Sequence, residues 1–143
     1  MLELRRAARP VFVKKPFMRK AEVLIIDDEP SIAEALVLIL NDQGYETVSA
    51  KTGRDGIAEA ARRNFDVTVT DLRLPDMSGL DVLNAIRRGD EANRVIVMTA
   101  HGTPEMISEL KEHGAVEVLK KPFLPSDIID LIENILKERS VMA

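Results

Sequence analysis

Cysteine and tryptophan are absent from this 143-residue sequence, and tyrosine occurs once. Without cysteine there is no disulfide, no thiolate metal centre and no thiol nucleophile, which fits a reducing, cytoplasmic compartment. With so few aromatics the core must be aliphatic, and an apolar content of 45% is enough to build one. No stretch approaches the roughly 18 consecutive apolar residues of a membrane helix. The basic N-terminus has no apolar segment of the kind a signal peptide carries. The length fits one compact domain.

Charge is unevenly spread. Residues 1–20 hold seven basic side chains (Arg5, Arg6, Arg9, Lys14, Lys15, Arg19 and Lys20) and one acid, Glu3. Residues 21–143 hold 13 basic and 23 acidic side chains, a net of −10. The acidic body is therefore a poor nucleic-acid ligand. The basic stretch has the charge to meet nucleic acid or an acidic surface. The plainer expectation is a disordered leader or appended residues at 1–20, ahead of a domain at 21–140. Met18 is a candidate start, because the regular pattern begins just after it.

From Glu22 onward, short apolar runs alternate with helix-length amphipathic runs. Val23–Ile26 reads as a strand ending in Asp27-Asp28-Glu29. Pro30 suits the first turn of a helix to about Gln43, with Ile32, Leu36, Ile39 and Leu40 on one face and Gly44 as its stop. A strand at Glu46–Ala50 follows. Thr52 caps a helix over Gly53–Arg63 that carries Ile57, Ala58 and Ala61. Asp66–Asp71 is a β-branched strand. A loop with Pro75 and Gly79 leads into a helix to about Arg88 on Leu80, Val82, Leu83 and Ile86. Arg94–Thr99 is a strand, Pro104–His113 a helix and Val116–Lys120 a strand. A last helix, capped by Ser126, runs to about Arg139. Five strands strictly alternating with five helices imply an α/β, doubly wound, open parallel sheet covered on both faces.

In such sheets the active crevice lies at the carboxyl ends of the strands. The first strand ends in Asp27-Asp28, the third in Asp71, the fourth in Thr99 and the fifth in Lys120-Lys121-Pro122. Three crowded carboxylates repel one another unless a cation joins them. Hard oxygen donors with no nearby His or Cys pair suit Mg²⁺ rather than zinc, and Mg²⁺ fits phosphate chemistry. Asp71, at the centre, is the candidate nucleophile, since carboxylates form acyl phosphates. Lys121 supplies positive charge for phosphoryl oxygens and Thr99 a small hydroxyl donor. Lys120 is expected to face solvent. The Lys121–Pro122 bond is expected to be an ordinary trans bond, with cis the alternative that would turn the chain and aim Lys121 inward.

These residues resemble the response-regulator receiver family of two-component signalling. The resemblance covers about residues 20–140. It rests on Leu-Ile-Ile-Asp27-Asp28-Glu-Pro, on Asp71-Leu-Arg-Leu-Pro75-Asp-Met-Ser-Gly79, on Val-Met-Thr99-Ala100-His101-Gly102 and on Lys120-Lys121-Pro122-Phe123. The resemblance implies a flavodoxin-like sheet of order 2-1-3-4-5. It implies that Asp71 accepts a phosphoryl group from a histidine kinase or phosphotransfer protein. Asp28, Asp71 and the backbone carbonyl of Arg73 would bind Mg²⁺ directly, and Asp27 through water. Thr99 would sense the phosphoryl oxygens and Lys121 pair with them, while Ala100 leaves the site open. His101 and Arg73 stand where the family tunes the lifetime of the phosphorylated form. The donor would dock near Ser31, Ile32 and Ala35. Output would leave through the face of the fourth helix, fifth strand and fifth helix, with Met106, Ile107, Leu110, Val118, Ile128 and Ile129 as candidates, several of which must be core, and a homodimer as one outcome.

One departure stands out. Many members carry an aromatic residue three positions before the lysine, and here that residue is Val118. A degenerate receiver acting as a phosphorylation-independent binding module is therefore the alternative. An aspartyl-phosphate hydrolase is a poorer fit. Those enzymes place a second acid two residues after the nucleophile, where this chain has Arg73. The chain is not expected to be an enzyme beyond its own phosphotransfer and dephosphorylation. Nothing past Arg139 reads as an effector domain, and Val97–His101 resembles receivers of transcriptional activators, which favours a receiver belonging to a longer regulator.

Overall fold

The computed structural model describes residues 21–142. The expectation of a leader at 1–20 falls outside them. Strands β1 (Glu22–Ile26), β2 (Glu46–Ala50), β3 (Val67–Asp71), β4 (Arg94–Thr99) and β5 (Glu117–Lys120) alternate with helices α1 (Pro30–Asp42), α2 (Gly53–Arg62), α3 (Gly79–Gly89), α4 (Pro104–Glu112) and α5 (Pro125–Met142). The sheet is fully parallel, in the order β2-β1-β3-β4-β5. This is the doubly wound, flavodoxin-like topology expected from the sequence.

Val23, Leu24, Ile25 and Ile26 of β1 are all fully buried, because helices cover both faces of a parallel sheet. Alternate residues go to opposite sides. Val23 and Ile25 join Val67, Val69, Ile96 and Met98 under α1 and α5, where Leu36, Leu40, Ile128 and Ile132 close the layer. Leu24 and Ile26 join Val95 and Val97 under the other helices, with Val82, Leu83, Ile86 and Leu110. Two aliphatic layers thus take the place of an aromatic core.

The local signals mostly act as expected. Thr52, Ser78 and Thr103 cap α2, α3 and α4 by accepting from the amides of Asp55, Asp81 and Met106, and Ser78 with Asp81 forms a reciprocal capping box. Gly44 and Gly114, just past α1 and α4, take φ of 95° and 108°, conformations that favour glycine.

Three expectations need correction. The last helix begins at Pro125, so Ser126 lies inside its first turn, and the Asp127 carboxylate instead accepts from the Leu124 amide at 2.8 Å. In α2, Ala58 and Ala61 are exposed, whereas Gly53 and Gly56 are buried. A β-carbon on Gly56 would collide with Ile26, so the helix approaches the sheet through Gly56. The Lys121–Pro122 bond is cis, not trans. Among the described residues no helix is long and apolar enough to cross a membrane.

Candidate functional site

The chain leaves β1 outward to β2 and returns past it to β3, so the order of the sheet reverses between β1 and β3. The carboxyl ends of these two strands open a crevice there, and that is where Asp27, Asp28 and Asp71 lie. One carboxylate oxygen from each lies within 4.8 Å of the others, and among the described residues this is the one such acidic group. Asp27 is buried and Asp28 exposed. The Asp27 carboxylate accepts from the Glu29 amide at 2.9 Å, and its backbone amide donates to the Ala50 carbonyl at 3.0 Å.

Lys121 reaches in from the end of β5. Its Nζ lies 3.1 Å from Asp71 Oδ1 and 3.3 Å from Asp27 Oδ2, while Lys120 is exposed. Burial pushes the Asp71 carboxyl above its ordinary range; the hydrogen bond and charge of Lys121 oppose this without cancelling it, and Asp27 adds to the rise. For Lys121, burial pulls downward, but the bond to Asp71 and the charges of Asp27 and Asp71 outweigh it and raise the ammonium pKa. One ammonium thus faces three carboxylates, and an oxygen-only set with surplus negative charge fits a hard divalent cation.

Thr99 ends β4, almost fully buried, and its Oγ1 accepts from the His101 amide at 3.1 Å. The Lys121 amide donates to the Thr99 carbonyl at 2.8 Å, which ties the two strand ends together. After Asp71, the Leu72 amide donates to Met98, Arg73 bridges back to Ser78, and the Gly79 amide donates to Leu72 at 2.6 Å. A β-carbon on Gly79 would stand 2.6 Å from the Asp71 carbonyl oxygen, so only glycine permits this closure.

A largely apolar groove of about 530 Å³ flanks the lysine, with Ser31, Ile32 and Ala35 of α1 facing Pro122 and Phe123. The three residues expected at a donor-docking surface therefore share one groove. On the other side, Leu110 and Ile128 prove to be core, leaving Met106, Ile107, Val118 and Ile129 half-buried. Val118 packs against the layer that contains Val97 and Leu110. His113, just past α4, pairs with Asn84 at 3.0 Å.

Sequence reasoning missed Asp76. Its carboxylate accepts from the amides of Gly53 and Arg54, each at 2.9 Å, and those amides hold its pKa below the ordinary range. A Pro-Asp pair signals a turn; nothing local says that the aspartate caps a helix more than twenty residues earlier.

Comparison with known proteins agrees with this geometry. The profile of the response regulator receiver domain matches residues 23–133. The chain belongs to that family. It is similar to sporulation initiation phosphotransferase F of Bacillus subtilis (strain 168), with 34% identity over 86% of this chain and 99% of the relative. It is also similar to the response regulator protein PilR of Pseudomonas aeruginosa, with 33% identity over 86% of this chain but only 28% of that protein. Among solved structures, a CheY-like receiver domain protein of Methanospirillum hungatei JF-1 superposes with a TM-score of 0.82 at 28% identity, covering 85% of this chain and 98% of that one. The chain thus spans nearly all of some relatives and about half or less of others, such as 45% of a receiver protein from Anaeromyxobacter.

Proposed function

We propose that this receiver domain accepts a phosphoryl group on Asp71 from the phosphohistidine of a kinase or phosphotransfer protein. The supporting observation is the Lys121 ammonium at 3.1 Å from Asp71 Oδ1, at a crevice where three carboxylates meet. An Asp71 carboxylate oxygen attacks phosphorus and forms the O–P bond. The N–P bond of the donor breaks, its electron pair returns to the imidazole, and that nitrogen takes a proton. Lys121 passes its hydrogen bonds from the carboxylate to the phosphoryl oxygens, and the Thr99 hydroxyl donates to one of them. Mg²⁺, held by Asp27, Asp28, Asp71 and the carbonyl of Arg73, would offset charge on the phosphoryl oxygens. Water later cleaves the acyl phosphate and releases inorganic phosphate, so the chain catalyses only its own phosphotransfer and dephosphorylation.

The readout is a population shift driven by a local charge change. With Val118 in place of an aromatic residue, Thr99 moves with the β4–α4 loop and repositions the α4–β5–α5 face. A dimer on that face is one output; the beryllofluoride-activated NtrC4 receiver domain, a similar structure, is a dimer. The docking surface for the donor is the Ser31–Ile32–Ala35 groove, the setting is cytoplasmic, and the effector is a further domain or protein. The folded domain is residues 21–140.

Intact-mass analysis after incubation with acetyl phosphate tests this reading. A single Mg²⁺-dependent phosphoryl adduct is expected on wild type and none on Asp71→Asn. Failure of wild type to take either a phosphoryl group or beryllofluoride would favour the phosphorylation-independent binding module.

A further inference from the structure

We infer that Asp76 is a positioning residue for the metal site, a clamp that fixes the two walls of the acidic crevice relative to each other. The inference rests on the Mg²⁺ reading above and adds a residue to it. One wall is the end of β1, held where the Asp27 amide donates to the Ala50 carbonyl of β2 at 3.0 Å. Three residues beyond Ala50, α2 begins at Gly53. The other wall is the loop after Asp71, which carries the Arg73 carbonyl. That loop is closed on itself by the Arg73–Ser78 bridge, by the Leu74 amide donating to Met77 at 3.2 Å and by the Gly79 amide donating to Leu72.

Asp76 joins the two. Both its carboxylate oxygens are used, Oδ1 by the Gly53 amide and Oδ2 by the Arg54 amide. Charge-assisted bonds to two first-turn amides are strong for their size and favoured by the helix dipole. The fit is close as well as polar: a β-carbon on Gly53 would stand 2.6 Å from Met77 Sδ, so the loop tip sits directly on the helix start. A closed path thus runs from Asp27 through Ala50 and Gly53 to Asp76 and back along the loop to Asp71. α2 has a cap of its own in Thr52, so the second cap, coming from a distant loop, does more for the loop than for the helix.

Partners that orient metal ligands are commonly worth tenfold or more in affinity. Calorimetric titration of Mg²⁺ into the full chain should therefore show about tenfold weaker binding for Asp76→Ala than for wild type. Asp76→Asn, which keeps one acceptor but no charge, should fall between them. The difference should persist at about 0.5 M KCl, where the field of an exposed charge is screened. A cap that serves only the helix would lower the melting temperature and leave the affinity within twofold, and that result would overturn the inference. Identical affinities for the Asn and Ala variants would overturn it in favour of simple charge loss. If wild type itself binds no Mg²⁺, the metal reading fails and takes this inference with it; wild-type binding with an unmoved Asp76→Ala variant removes the inference alone.

Discussion

At the amino end of the sheet, Glu22, Glu46 and Asp66 meet partners supplied by the fold. Arg63 Nη2 lies 2.6 Å from Glu22 and 3.9 Å from Glu46, its guanidinium sits 5.4 Å from the Phe65 ring centroid, and the Asp66 carboxylate accepts from the Glu22 amide at 2.9 Å. At the carboxyl end, Asp27, Asp28 and Asp71 share Lys121, which contacts two of them. The same residue types are therefore consumed structurally at one end and left in excess at the other. Excess charge held by buried backbone costs stability, and it persists in a fold when a ligand or reaction uses it.

Removing the cation at each end sharpens this contrast most. Lys121→Met should slow acetyl-phosphate labelling by about 10²-fold, the scale on which one charge-stabilising donor acts, while circular dichroism stays native. An unchanged labelling rate would reduce Lys121 to the structural role that Arg63 plays.

The next effect is on stability. Burial raises the Asp71 carboxyl pKa, so its ionised form costs stability above that raised value, and the cost fades as pH falls through it. Without Mg²⁺ at neutral pH, Asp71→Asn should therefore melt above wild type. The gap should close on acidification through the carboxylate range. Mg²⁺ at 100 times its Kd should raise the wild-type stability by about 2.7 kcal/mol and the variant's by less. Thermal melts at several pH values, with and without Mg²⁺, read both effects; a variant that melts below wild type at neutral pH would contradict the account of surplus charge. The smallest effect belongs to Arg63→Ala. An exposed ion pair contributes little, so the melting temperature should fall by about 2 °C with labelling unaltered. A loss of labelling there would erase the distinction between the two ends.

Most of the architecture was legible because each level agreed. The all-apolar Val23–Ile26 run meant burial on two faces. Thr52 and Pro30 marked helix starts, and the strand ends sorted Asp27, Asp28, Asp71, Thr99 and Lys121 to one rim. What escaped were features fixed by tertiary contact. The Ser126 cap lost to Asp127, which reaches the Leu124 amide. Ala58 and Ala61 carry the right polarity for a core face, yet α2 turns Gly56 to the sheet because Ile26 fills the space. Pro122 marked where a cis bond was possible, but an X–Pro bond favours trans and local sequence does not decide between the isomers. Asp76 acts on a helix from another part of the chain.

The most direct test of the central claim is where the phosphoryl group resides. Borohydride converts an aspartyl phosphate to homoserine, so acetyl-phosphate treatment with Mg²⁺, reduction and peptide mapping identify the acceptor. The account predicts homoserine at position 71 alone. Homoserine at position 27 or 28 instead, with Asp71 unmodified, would contradict it.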